Sequence, residues 1–114
     1  MLDIQTHIAK LIKKHSVLLF VKGNKNNPQC GFSTIVINIL TSLSTEFHCV
    51  DVLKNHKIRD GIKKYSSWPT IPQLYIGQVF IGGCDIVKEL YKNGDLQIKL
   101  NAQLYKTENS HIHT

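Results

Sequence analysis

Three cysteines, Cys30, Cys49 and Cys84, carry the most versatile chemistry in this chain of 114 residues. Of the three, Cys30 has the neighbours of a reactive thiol. It lies in the loop Pro28-Gln29-Cys30-Gly31-Phe32-Ser33. Before the loop, Val17-Leu18-Leu19-Phe20-Val21 is short, β-branched and aromatic, and reads as a buried strand. After it, Ile35, Val36, Ile39, Leu40 and Leu43 recur at helical spacing. Cys30 is thereby placed in the first turn of a helix, where unpaired N–H groups and the positive end of the macrodipole favour a thiolate. Lys22, at the end of the strand, adds a full positive charge. Three positions after Cys30 stands Ser33 and not a second cysteine, so no disulfide can close within the loop. Ser33 can cap the helix or hydrogen-bond to the thiolate, but it cannot resolve a disulfide. Cys30 must find its partner elsewhere: a small thiol, another protein or a metal.

The elements that would position this thiol follow from periodicity. Ile4, Ile8, Leu11 and Ile12 share one face of a helix over about residues 3–14. The strand at 17–22, a polar loop Gly23–Pro28 and the Cys30 helix to about Ser44 come next. Phe47–Val52 reads as a second strand, parallel to the first across the intervening helix. A helix is expected from His56 to Tyr65, then a loop with two prolines, Ser66–Pro72. Gln73–Gly77 and Val79–Gly82 form a compact hairpin. Gly82-Gly83-Cys84-Asp85 opens a further helix that Asn93-Gly94 stops, and Leu96, Ile98, Leu100 and Leu104 predict a last one. From residue 107 to 114 the composition turns polar and a mobile tail is expected. The order α, β, α, β, α, β, β, α, with a thiol after the first strand and proline before the hairpin, describes an α/β thioredoxin-like fold: a four-stranded mixed sheet flanked by helices on both faces, in a single domain over residues 1–106.

Composition narrows the classes of function. Hydrophobic residues at 42% and charged residues at 19% are ordinary for a globular domain of this size. No apolar run reaches the length that spans a bilayer, so no membrane role is expected. The first residues lack the basic flank and apolar segment of a secretory signal, and the odd cysteine count argues against a disulfide framework. Both point to a reducing, cytoplasmic setting. The formal charge of +6 raises nucleic-acid binding, but the lysines are scattered and no nucleic-acid motif is present. Small anions or acidic proteins are the partners that such a charge favours.

Four stretches, Phe20-Val21-Lys22-Gly23, Cys30-Gly31-Phe32-Ser33, Trp68-Pro69-Thr70-Ile71-Pro72-Gln73-Leu74-Tyr75 and Gly82-Gly83-Cys84-Asp85, together resemble the monothiol glutaredoxins of the CGFS type. The four occur in that family's order, and the similarity extends over most of the chain, leaving out only the tail. The resemblance implies a glutathione site beside Cys30. Lys22 would offer its ammonium to the thiolate and to a carboxylate of the tripeptide, and Arg59 would contact the glycyl carboxylate. Ile71, before a cis Pro72, would pair its backbone with the cysteinyl part of glutathione as an added strand. Cys84 and Asp85 would receive the γ-glutamyl end through helix N–H groups and the Asp85 carboxylate. Without the resemblance, Lys22 and Arg59 read as surface charges and Asp85 as a helix cap.

The resemblance further implies a [2Fe–2S] cluster held by four thiolates, Cys30 from each of two protomers and two glutathione sulfurs, in a homodimer bridged by its cofactor. Such a protein would carry clusters to apo iron–sulfur proteins, or sense iron with a BolA-type partner. The competing reading is a glutathione-dependent thiol–disulfide oxidoreductase with Cys30 as nucleophile, an activity in which CGFS-type members are generally weak. Cys84 is also open to roles as a resolving thiol or metal ligand. Cys49 reads as a buried core thiol. His111 and His113 in the tail, and His7, His15, His48 and His56 elsewhere, show no spacing that makes a site. The loop Asn24-Lys25-Asn26-Asn27 lacks a proline often found near Lys25 in relatives and is expected to be looser.

Overall fold

In the computed structural model the backbone is described for residues 3–112 and the side chains for residues 3–106. The expected mobile tail at 107–114, with His111 and His113, lies outside the described side chains.

Helix α1 (Ile4–Lys14) begins at Asp3, whose carboxylate accepts the N–H of Thr6 at 2.8 Å, a cap that satisfies one of the helix's orphan donors. It leads into β1 (Val17–Val21). Helix α2 (Gly31–Ser42) and strand β2 (His48–Asp51) follow, and β2 pairs in parallel with β1, Leu18 opposite His48 and Val21 opposite Asp51. Asn55 caps α3 (His56–Ser66) by accepting the N–H of Ile58 at 3.1 Å. Strands β3 (Gln73–Ile76) and β4 (Val79–Gly82) form the predicted hairpin. Its two turn residues, Gly77 and Gln78, have φ of 57° and 70°, the doubly left-handed turn whose twist matches that of paired strands. Helices α4 (Cys84–Asn93) and α5 (Asp95–Ile112) are separated by Gly94, which takes φ 88° where a side chain would be strained. The last element is thus longer than the apolar pattern predicts, because α5 buries only Leu96 and Leu100 among its described residues and continues as a polar helix.

The four strands lie in the order β2-β1-β3-β4, with β1 parallel to β2 and antiparallel to β3. This is a thioredoxin-like fold, a mixed four-stranded sheet with helices on both faces. Strand β1 is buried along its whole length because alternate residues serve opposite layers. Leu18 and Phe20 join Ile8, Ile12, Ile58, Ile62 and Tyr75 under α1 and α3. Leu19 and Val21 join Val36, Leu40, Val87 and Leu96 under α2, α4 and α5. Lys22 and the Cys30 loop emerge where both layers end.

Candidate functional site

The chain turns sharply at Gly23, whose φ is 93° and where a Cβ would sit within 3 Å of Asn27 O, Gln29 N and Pro28 Cα. Only glycine fits. The turn is fastened from several sides. The Gly23 N–H donates to Asp51 Oδ1 at 3.0 Å, and the same oxygen accepts the N–H of Leu53 at 2.9 Å. Lys22 N–H donates to Ser33 Oγ at 3.2 Å, while Lys22 O accepts the N–H of Gln29 at 2.9 Å. Between these ties, Asn24 Oδ1 accepts from both Asn26 and Asn27 at 2.9 Å, and the Lys25 ammonium lies 4.2 Å from the centre of the Phe47 ring. The polar loop expected to be loose is a hydrogen-bonded turn, in which the Asn24 side chain gathers two backbone N–H groups where relatives often carry a proline.

These contacts deliver Cys30 to the N-cap of α2, one residue before the first turn in which the sequence places it. The backbone N–H of Ser33 does most to hold its thiol below the ordinary value. Partial burial opposes the shift, and the N–H of Phe32, the Lys22 ammonium and the Ser33 hydroxyl reinforce it. The other two cysteines are tuned the opposite way. Burial pushes Cys49 up to about 11, and burial is also the main cause that raises Cys84, with the Asp85 charge and the Cys30 thiol adding to it against Lys88. Cys49 is half-buried at the core's edge, more open than the core thiol that the sequence suggests.

Cys30 opens on a groove of about 460 Å³. One wall is the loop Trp68–Pro72, the other is Gly83, Cys84, Asp85 and Ile86 at the start of α4, and Lys22, Phe32 and Lys63 complete the rim. The Ile71–Pro72 peptide is cis. Gln73, fully buried, holds this loop in place: its Nε2 donates to Trp68 O at 3.1 Å and Thr70 O at 3.2 Å, and its Oε1 accepts the Tyr75 hydroxyl at 3.4 Å. Gly83 leaves room for the Trp68 indole, since a Cβ there would come 3.0 Å from Nε1.

Of the residues singled out in the sequence, Cys30, Lys22, Ile71, Cys84 and Asp85 line one groove. Arg59 does not. Its guanidinium Nε is buried without a hydrogen-bond partner, 3.8 Å from Asp60 Oδ1, and Lys63, one helical turn further on, supplies the groove's cation from α3. Sequence reasoning missed Lys63, Gln73 and Asp51. Gln73 could have been noticed as an amide inside an otherwise apolar strand, whereas the acceptor role of Asp51 depends on which strand lies beside β1. His15 and His48, unrelated in sequence, stack face to face with ring centres 3.9 Å apart and planes 6° from parallel. Among the described residues no three of His, Cys, Asp and Glu are grouped to hold a metal ion. None of the helices so described is long and apolar enough to cross a membrane.

Chemically, the groove offers one activated sulfur beside an ammonium, facing a helix N-terminus. Such a sulfur can attack a disulfide or ligate a soft metal.

Comparison with known proteins agrees with this geometry. The family profile described as glutaredoxin matches residues 17–81. A chloroplastic monothiol glutaredoxin-S7 of Oryza sativa subsp. japonica is 52% identical over 95 residues, which are 83% of this chain and 56% of that protein, so the chain spans little more than half its length. The probable monothiol glutaredoxin 2 of Rickettsia prowazekii is 53% identical over 90 residues, 79% of this chain and 84% of its own. Among solved structures, that of reduced poplar apo GrxS14 superposes with a TM-score of 0.78 at 50% identity, covering 89% of this chain and 93% of the other. A buckwheat glutaredoxin–glutathione complex shares the fold, with a TM-score of 0.79 at 21% identity and coverage of 88% and 89%.

Proposed function

Because the chain belongs to the monothiol glutaredoxin family, we propose that it binds glutathione in the Cys30 groove and carries a [2Fe–2S] cluster between two copies of itself. The observation that carries this reading is the one thiol held below the ordinary value, at the mouth of a groove rimmed by Lys22 and Lys63, with no intrachain set of ligands among the described residues. A cluster of this kind takes four thiolates. One Cys30 per copy supplies two, and the sulfurs of two bound glutathione molecules supply the rest.

The residues present fit that cargo. Lys22 and the N-terminus of α2 stabilise negative charge at Cys30 Sγ. The first turn of α4, with Gly83 and Cys84 amides and the Asp85 carboxylate, suits the γ-glutamyl end of the tripeptide, its carboxylate on the N–H groups and its ammonium on Asp85. Ile71 offers backbone groups to an added strand. The glycyl carboxylate falls to Lys22 and Lys63, with Arg59 joining only through a rotamer that brings its fork into the groove. The iron–sulfur group would supply exchangeable metal–thiolate bonds, and two of its four ligands are small molecules that can leave, which suits delivery to apo-proteins or iron sensing with a BolA-type partner. The setting is a reducing one, the cytoplasm in the reading of the sequence, while the rice relative's name places that protein in the chloroplast.

Anaerobic mixing with ferrous iron, sulfide and glutathione tests the proposal. The expected product is a coloured dimer, absent without glutathione and absent for Cys30→Ser. A cluster bound by the monomer, or retained by Cys30→Ser, overturns it. The depressed Cys30 thiol also supports a second reading, attack on a glutathione mixed disulfide with release of the client thiol and regeneration by a second glutathione. Rapid turnover by a chain that takes up no iron favours that reading instead.

A further inference from the structure

The charge of this protein is not spread over its surface. Helix α1 carries Lys10, Lys13 and Lys14. The segment from Lys54 through α3 adds Lys57, Arg59, Lys63 and Lys64. Against these eight cations the same layer holds two carboxylates, Asp3 and Asp60. Its balance of +6 equals the formal charge of the whole chain. On the opposite layer, Lys88, Lys92, Lys99 and Lys106 are matched among the described residues by Glu46, Asp85, Glu89 and Asp95.

Helix stability does not account for this pattern. Lys13, Lys14, Lys63 and Lys64 sit in last turns, where the dipole favours cations. Lys57, however, lies in the first turn of α3, against the dipole, and neither α1 nor α3 has an acidic residue in its first turn. Helices α4 and α5 have Asp85 and Asp95 there. Lys10 and Lys14, and Arg59 and Lys63, stand four residues apart with like charge, an arrangement that costs a helix stability. Among the described residues the layer's one ion pair is the 3.8 Å contact of Arg59 with Asp60, and Lys10, Lys13, Lys14, Lys54, Lys57 and Lys64 are exposed.

Lys63 joins this layer to the Cys30 groove, whose rim it shares with Lys22. Phe32, 60% exposed, and Ile86, 37% exposed, give the mouth of the groove apolar contact surface. We propose that the α1–α3 face steers acidic partner proteins onto the Cys30 groove, so that the clients of this protein are those whose reactive site is bordered by aspartate and glutamate. A protein partner is favoured over nucleic acid because the face runs, through Lys63, to the rim of a groove whose chemistry is that of a thiol and whose open edge is apolar.

The inference rests on Cys30 as the reacting group, and the test separates the two. The probes are an acidic and a basic peptide of equal length, each carrying a cysteine as the mixed disulfide with thionitrobenzoate. The Cys30 thiolate attacks the peptide sulfur, a new Cys30–peptide disulfide forms, the old S–S bond breaks and yellow thionitrobenzoate leaves with the electron pair. Lys22, Lys63, Asp85 and Cys84 line the groove of the reacting sulfur and are left unchanged in every variant.

At low salt the full chain should react about tenfold faster with the acidic peptide, and the preference should collapse toward unity at about 0.5 M salt. Replacing Lys10, Lys57 and Lys64 together by Gln should remove most of it. Replacing Lys88, Lys92 and Lys99 by Gln, an equal loss of charge on the other layer, should preserve it. Equal losses in both triple variants, or a preference that survives the first, overturn the proposal. So does salt-sensitive binding of duplex DNA through Lys10, Lys57 and Lys64 with no preference between peptides, which would make the face a nucleic-acid surface. Failure of both peptides to react, or equal reaction by Cys30→Ser, instead removes Cys30 as the reacting group.

Discussion

Ser33 Oγ accepts the main-chain N–H of Lys22 at 3.2 Å, and through it the helix that begins at Cys30 is bound to the end of the strand that carries the ammonium. Ser33 is fully buried, and the same hydroxyl favours the Cys30 thiolate. Ser33→Ala should leave a partly buried N–H without a partner, at a cost of about 1–3 kcal/mol. It should also shift the pH profile of Cys30 alkylation to higher pH. Urea unfolding and peptide-resolved alkylation by iodoacetamide check the two effects.

Asp51 fastens the next residue, accepting from both Gly23 and Leu53 on one oxygen. Asp51→Ala leaves the partly buried Gly23 N–H without its partner and gives the exposed Leu53 N–H to water, so its expected cost is about 1–3 kcal/mol, together with weaker glutathione binding as Lys22 loses its fixed position. Asp51→Asn keeps an acceptor and should recover most of both. Calorimetric titration with glutathione and thermal melts of the two variants provide the comparison.

The cysteines divide by pH. Cys30, held below the ordinary thiol value of 9.0, should be alkylated first as pH rises, and Cys49, pushed up to about 11, last. Their linkage to stability has opposite sign. The depressed Cys30 contributes stability above 9.0 that is lost as pH falls through its folded value. The raised Cys49 contributes stability below 9.0 that is lost as pH climbs toward about 11. Cys49→Ala should therefore flatten the alkaline loss of stability over that window, measured by urea midpoints at fixed temperature.

His15 and His48 should give an acid-side signature. The His15 value is lowered, by burial first and then by the charges of His48 and Lys14. A base with a depressed folded value binds fewer protons folded than unfolded, so its contribution is present above the ordinary 6.5 and falls as pH drops below it. His15→Gln should reduce the loss of melting temperature on going from neutral to mildly acidic buffer.

At Gly83 a methyl group would meet the Trp68 indole Nε1 at 3.0 Å and Pro72 O at 3.3 Å, both on the groove's far wall. Gly83→Ala should push that wall outward, weakening glutathione binding several-fold while α4 keeps its helix content, as read by titration calorimetry and circular dichroism.

Much of this was legible along the chain. Periodicity placed the helices and strands, because buried faces repeat every 3.6 or every two residues whatever they pack against. The thiol and its strand-to-helix turn were legible for the same reason, being neighbours in sequence. Only the folded chain could decide the rest. That β2 lies beside β1 and puts Asp51 against Gly23, that Lys63 and not Arg59 reaches the groove, that His15 stacks on His48, and that the cations gather on one face are all contacts between distant segments. Sheet order and the rotation of each helix about its axis set those contacts, and the packing of the two cores, in which every segment takes part at once, fixes both.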